Sequence, residues 1–190
     1  MENEVLLQVK GLSFTYGEEP VLKDVNLIIR RGERIAVMGS NGAGKSTFFL
    51  NLNGVLRPDS GEILLCGSKI GKKELNLLRK KVGFVFQDAD SQIIAANVRA
   101  EISFGPMNLG LERSEVIRRV DAAVSYLGLE ELQQRAPHYL SGGEKKQVSI
   151  ADILAMEPEL LIFDEPMAAL DPMNAQRVED ILGKLHEDGK

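Results

Sequence analysis

Nine residues, GSNGAGKST from Gly39 to Thr47, constrain this chain more than any other stretch. They follow a short apolar run, RIAVMG, that reads as a buried parallel strand. They precede STFFLNLNGVL, whose pattern predicts a helix closed by Gly54. The nine residues match G-x-x-x-x-G-K-[ST], and the flanking strand and helix are the setting this pattern needs. Glycines let the backbone turn tightly, so that successive N–H groups converge on phosphate oxygens, and the following helix adds the positive end of its dipole. Lys45 supplies a point charge for the β- and γ-phosphates, and the Ser46 hydroxyl is a candidate ligand for Mg²⁺. A loop of this kind calls for an α/β fold.

The rest of the chain fits that demand. VLLQVKGLSFTY alternates apolar and polar residues, GEEP interrupts, and VLKDVNLIIRRGE resumes the strand pattern up to Gly32. EILLCG and KVGFVFQ read as further strands, with KKELNLLRK between them as a short helix or turn. From Asp88 to about Leu140 the pattern becomes helical. There SEVIRRVDAAVSYLGL aligns Val116, Val120, Val124 and Leu127 on one face, with Ser114 as expected N-cap and Gly128 as expected stop. A helix is expected from Ser141 to about Met156, then the buried strand of ELLIFDEP. Asp171-Pro172 opens a last helix carrying Val178, Ile181, Leu182 and Leu185 and stopping at Gly189.

Three further features carry chemistry. LLIFDEP delivers Asp164 at the end of an apolar strand, where a carboxylate can hold the magnesium shell, and places Glu165 next to it as a candidate base for an attacking water. Ser141, Gly142 and Gly143 start a helix and offer unpaired N–H donors. The net charge of −5 tilts against a nucleic-acid partner. Cys66 is the only cysteine and has no clustered His or Cys beside it, so it reads as a small apolar residue in a reducing compartment. No apolar run approaches the ~18 residues of a membrane span, so any membrane role is expected to be peripheral.

These motifs together give the chain its resemblance: it is similar to the nucleotide-binding subunits of ABC transporters. LSGGE, Leu140 to Glu144, matches that family's signature motif. Tyr16 matches the aromatic residue that stacks on adenine, Gln87 the glutamine of the Q-loop, and ALD, Ala169 to Asp171, the D-loop. The resemblance implies a P-loop NTPase fold of the ABC ATPase type, with an N-terminal antiparallel β subdomain and a helical insertion. It implies one ATP-binding domain over 1–190: residues 1–87 hold the β subdomain and first part of the core, 88–140 the helical subdomain, and 141–190 the signature helix, the strand of Asp164 and the D-loop helix. ATP would be held by Tyr16, by Gly39, Ser40, Asn41, Gly42, Ala43, Gly44, Lys45, Ser46 and Thr47, and by Asp171. Mg²⁺ would be held by Ser46, Gln87 and Asp164, and the catalytic set would be Glu165, Lys45 and Gln87. Ser141, Gly142 and Gly143 would grip the γ-phosphate on the phosphate loop of a second ATP-binding subunit, identical or paralogous.

A narrower resemblance lies in FQDADSQIIAANVRAEISFGPMNLGL, which is similar to the same segment in ATPases of energy-coupling-factor and cobalt or nickel importers. It matches at Gln92, Phe104, Gly105, Pro106, Asn108, Leu109 and Gly110. It implies that residues 87–110 receive a transmembrane coupling subunit, at the cytoplasmic face of the cell membrane, with a metal ion or vitamin as cargo and no nucleic acid as partner. The chain departs from the pattern at Gln147, Asp152, Arg99 and Ala100. It also stops at KLHEDGK, where the family continues into another strand and a switch histidine. His138 and His186 match neither position. The resemblance therefore implies a C-terminally incomplete sequence, with an empty slot beside the strand that enters the phosphate loop. Should Lys190 be the natural end, poor stability and little hydrolysis are expected. Two alternatives stay open: a catalytically impaired nucleotide-binding fragment, and a soluble ATPase of the same type acting on DNA or ribosomes.

Overall fold

The computed structural model describes residues 4–190, which form two compact units, one reaching to Val82 with Gly189–Lys190 and the other Gly83–Asp188. The first unit is built on an antiparallel sheet of order β2-β1-β3-β4, from β1 (Val5–Tyr16), β2 (Glu19–Arg30), β3 (Ser60–Leu65) and β4 (Ser68–Lys69). Helices α1 (Lys45–Leu52) and α2 (Leu75–Lys81) belong to the same unit. β1 is central and pairs along both edges, so its apolar positions Leu7, Val9, Leu12 and Phe14 are buried. Phe48 and Leu52 of α1 and Leu78 of α2 are buried with them.

A bulge bends the centre of this sheet. Register breaks between Val9 and Leu12 against β2, and between Lys10 and Ser13 against β3. The Gly11 amide, freed from the ladder, donates instead to Asn26 Oδ1 at 2.8 Å. Opposite it, Gly61 has φ +86°, and a Cβ there would run into the carbonyls of Gly11 and Lys10. Only glycine satisfies both demands.

The expected strand RIAVMG is not one. Residues 33–40 pair with no strand among the described residues, and Ile35, Val37 and Met38 are exposed, Met38 at 90%. An apolar run becomes a strand only where a neighbour pairs with its N–H and C=O groups. The family resemblance puts a further strand beside this run, and the described residues supply none.

The second unit holds all but the first residue of β5 (Val82–Val85), paired with β6 (Leu160–Phe163), and helices α3 (Val98–Asn108), α4 (Arg113–Leu127), α5 (Gly142–Ala155) and α6 (Pro172–Glu187). Val116, Val120, Val124 and Leu127 are buried as the spacing requires, and Gly128 closes α4 at φ +66°. The start differs from expectation: α4 begins two residues early behind Glu112, leaving Ser114 inside the first turn. No side chain caps this end, so the apolar face rather than a cap sets where the helix starts. The core joins Val98 and Ile102 of α3, the apolar face of α4, Val148, Ile150 and Ala151 of α5, and Val178 of α6.

Replacing Gly61 with Ala should lower the unfolding free energy by about 2 kcal/mol or more, because it combines a left-handed backbone with a backbone collision. Urea denaturation followed by circular dichroism would measure it. The same substitution at the unobstructed Gly17 should cost less.

Candidate functional site

In the first unit the phosphate loop ends at a helix with bare amides. Gly42 and Gly44 adopt φ +80° and +88°, and Gly44 is the residue before α1. A Cβ on Gly44 would lie 3.0 Å from Val21 Cγ1 and 3.2 Å from the Val21 carbonyl oxygen, so glycine is required for space as well as conformation. No side chain accepts from the first turn of α1. Its N–H groups therefore point outward with the dipole behind them, which is an anion site. Ala43 N donates to Ser40 O at 3.1 Å, closing the loop. Lys45 Nζ folds back over it, donating to Gly39 O at 2.9 Å and Ser40 O at 3.1 Å, so the ammonium stands at the mouth of the loop. Asn41 and Ser46 are exposed and Thr47 is buried. Tyr16, at the end of β1, is half exposed and stands edge-on to Phe14 with ring centroids 4.9 Å apart.

The second unit brings together most of the remaining residues. β6 carries the chain into Asp164, whose amide donates to Val85 O at 3.1 Å. Asp164 is only 6% exposed, and its Oδ1 has no hydrogen-bond partner among the described residues. A buried carboxylate oxygen left bare is costly unless a cation or solvent meets it. No group of three or more His, Cys, Asp or Glu side chains that could hold a metal occurs among the described residues. One carboxylate that relies on substrate and water oxygens for the remaining positions suits Mg²⁺. Glu165 turns away into solvent at φ +43°, a left-handed backbone that costs an ordinary residue roughly 1–2 kcal/mol. Gln87 Nε2 donates to Glu165 Oε2 at 3.1 Å, so the glutamine and the carboxylate are in contact.

The signature residues form a rigid helix start. Ser141 Oγ accepts from Glu144 N at 3.3 Å while Glu144 Oε2 accepts from Ser141 N at 2.7 Å, a complete capping box. The Ser141 N–H beside it, with the hydroxyl second, holds the Glu144 carboxyl below its usual range. Gly142 is exposed and Gly143 is buried. Asn174 explains the second glycine, since a Cβ on Gly143 would collide with its carboxamide. Asp171 caps α6, accepting from the Met173 and Asn174 amides at 3.0 Å and from Asn174 Nδ2 at 2.6 Å. Those Asn174 bonds hold the Asp171 carboxyl low. His138 lies against Tyr139, and His186 is exposed on the last turn of α6.

Sequence reasoning passed over Asn174 and Lys146. Nothing local marks Asn174, because its contact with Gly143 is made across two helices. Lys146 did leave a signal: it shares a helical face with the buried Ser149 and Ile150, three and four residues on. It is 2% exposed, and Nζ donates to the carbonyls of Phe86 and Gln87 at 2.8 and 2.7 Å. Asp152 joins the same helix to Gln92, whose Nε2 donates to Asp152 Oδ2 at 3.1 Å. Burial, reinforced by the nearby Glu101 charge and opposed by that Gln92 bond, raises the Asp152 carboxyl from 3.8 to about 7.

A family model described as "ABC transporter" matches residues 22–168 of the chain. Among curated proteins, the chain is 49% identical over 185 residues to a putative ABC transporter ATP-binding protein of Methanosarcina acetivorans, covering 96% of this chain and 57% of that protein. It is 47% identical over 187 residues to the energy-coupling factor transporter ATP-binding protein EcfA of Methanothermobacter thermautotrophicus, covering 97% of this chain and 60% of that one. The chain thus spans little more than half the length of these relatives. Among solved structures, cbiO1 of Clostridium perfringens, described as part of the ABC transporter complex cbiONQ, superposes with a TM-score of 0.87 at 42% identity, over 98% of this chain and 75% of that one. A dimeric ATP-binding cassette in a post-hydrolysis state, bound to ADP and Pi, superposes at 0.84 and 32% identity, over 97% and 85%.

The raised Asp152 carboxyl makes stability depend on pH. The folded chain disfavours its ionised form relative to the unfolded chain, so stability is highest with Asp152 protonated and falls as pH rises from 3.8 through about 7. Asp152→Asn removes the penalty and keeps the shape. Its gain in Tm, measured by calorimetry, should be small near pH 4 and largest near pH 8.

Proposed function

The chain belongs to the ABC transporter family, and we propose that it is the ATP-binding, ATP-hydrolysing part of a subunit that energises a membrane importer. One observation carries the reading: buried Asp164, with a bare carboxylate oxygen, adjoins a Glu165 that is held by Gln87. A metal-holding carboxylate next to an exposed carboxylate in contact with a glutamine is the equipment for aligning water on a bound phosphate. Tyr16 stacks the adenine. Residues Gly39 to Thr47 wrap the phosphates, with Lys45 countering their charge. Ser46, Gln87 and Asp164 are the candidate magnesium ligands, and the bare oxygen of Asp164 supports their fit. Bound Mg²⁺ would neutralise charge on the β- and γ-phosphate oxygens. Glu165 accepts a proton from, or orients, the attacking water. Catalysis of this kind is positioning and charge stabilisation rather than covalent chemistry.

In this reading the chain is organised as a single ATP-binding domain, in the parts 1–87, 88–140 and 141–190. The second phosphate-holding helix, at Ser141 to Gly143, serves a second ATP-binding subunit, with Asp171 at the same contact. The relative solved as a dimer supports that arrangement. A transmembrane subunit docks on residues 87–110, where Phe104 and Met107 stand exposed three residues apart on α3. The likeness to EcfA and to cbiO1 supports an energy-coupling-factor importer. Its cargo, in this reading, is a metal ion such as cobalt or nickel, or a vitamin. Among the described residues no helix is long and apolar enough to cross a membrane. In this reading the chain sits at the cytoplasmic face of the membrane, against that partner. No nucleic acid is expected to bind.

Glu165→Gln should lower ATP turnover by a factor of about 10² or more while leaving ATP affinity within about twofold. A phosphate-release assay beside equilibrium binding of a fluorescent ATP analogue reads both. Unchanged turnover would reject the catalytic assignment, and loss of binding at Lys45→Ala separates the phosphate loop from it. Phe104→Ala should weaken co-purification with the membrane subunit and spare ATP affinity. Equal recovery of the complex would remove α3 as the docking face.

A further inference from the structure

The segment that bears Gln87 is fastened to α5 at four positions. Lys146 Nζ donates to Phe86 O and Gln87 O at 2.8 and 2.7 Å. Lys145 Nζ pairs with Asp90 Oδ1 at 2.6 Å. Gln92 Nε2 donates to Ser149 O at 2.9 Å and to Asp152 Oδ2 at 3.1 Å, while Gln92 Oε1 accepts from Phe86 N at 3.3 Å. The contacts fall on residues 145, 146, 149 and 152, one after another along the helix. Lys145 is the outer edge of this set, paired with the exposed Asp90, and an ion pair there contributes little. Lys146 is different, because it is fully buried.

A buried ammonium is expensive, and here it donates to two backbone carbonyls of one loop. The loop pays for it in lost freedom: Phe86 and Gln87 cannot shift without stranding the ammonium. Burial lowers the Lys146 pKa, and the Asp88 and Asp164 carboxylates oppose that shift, so the ammonium also lies within the field of the metal-holding carboxylate. From the Gln87 backbone the side chain reaches Glu165 Oε2 at 3.1 Å. The same helix starts at Ser141, five residues before Lys146.

We propose that Lys146 is a positioning residue for ATP hydrolysis: by clamping the Phe86 and Gln87 carbonyls to α5, it sets the Gln87 carboxamide on Glu165 and makes that pair follow the helix that carries the signature residues. The inference rests on the ATPase reading above. It gives the Ser141 end of α5 a mechanical route to the water-orienting pair within one unit. A displacement of α5 carries Gln87 with it, because the clamp is buried and bidentate. A helix of solvent-exposed ties would let the loop lag behind.

The test compares the protein with Lys146→Met, which keeps the stem and removes every donor, and with Lys146→Gln, which keeps an uncharged N–H donor group. Three quantities are read: amide exchange across 86–92, affinity for a fluorescent ATP analogue, and turnover. Lys146→Met should speed exchange at 86–92 by about tenfold while the α4 amides keep their protection. It should cut kcat roughly tenfold to a hundredfold and leave ATP affinity within about twofold, as a misplaced group does. Lys146→Gln should fall between, and it carries the same test should Lys146→Met fail to fold. Unchanged kcat, or faster exchange spread over all of 83–188, overturns the positioning role and leaves a structural lysine. Absence of turnover in the unsubstituted protein overturns the ATPase reading, and the positioning role with it. Normal turnover that survives Lys146→Met overturns the positioning role alone.

Discussion

Helix α5 is buried along most of its length, and the second unit is arranged around the need to satisfy it. Its Val148, Ile150, Ala151 and Ala155 meet the apolar faces of α3, α4 and α6. An apolar helix in that position would need nothing more. This one also carries Lys146, Ser149 and Asp152 inward, and each must find a partner because water is excluded. Ser149 Oγ turns back to the Lys145 carbonyl at 3.0 Å, within the helix. Lys146 and Asp152 cannot do so, and they draw in residues 86–92 instead. The polar residues of one helix thus dictate the path of a loop sixty residues away in sequence.

Two helix N-termini in the chain meet the same physical problem in opposite ways. The first turn of α1 is left without side-chain acceptors behind Gly44, so its N–H groups and dipole stay available to an anion. The first turn of α5 is closed by the Ser141 and Glu144 capping box. In that box Ser141 Oγ accepts from Glu144 N, and the Ser141 N–H and hydroxyl both bond the Glu144 carboxylate. An open end suits a phosphate that must be wrapped. A capped end, held rigid, suits a contact made from outside by a neighbouring subunit.

A left-handed backbone and an unmet polar atom meet where the sheet hands over to the D-loop. Asp164 has a bare buried oxygen, Glu165 and Ala169 are left-handed without being glycine, and Asp171 gathers two amides and a carboxamide. These costs fall within eight residues. They are tolerated because β6 on one side and the α6 cap on the other fix both ends of the turn.

The sequence by itself determined the element types that rest on local chemistry. The phosphate loop, the α4 face from Val116 to Leu127, the Gly128 stop and the Asp171-Pro172 start were all legible, because capping, periodicity and left-handed turns act within a few residues. The family motifs were legible for the same reason, each being a short string. Tertiary structure alone decided three matters. RIAVMG had every local mark of a strand, yet a strand requires a ladder partner and the described residues provide none. Gly143 read as part of a helix start offering N–H donors and proved also to be clearance for Asn174. Lys146 was passed over in the sequence, and only its burial and the approach of residues 86–87 show it tied to that loop. In each case the deciding partner lies many residues away, where no local pattern can report it.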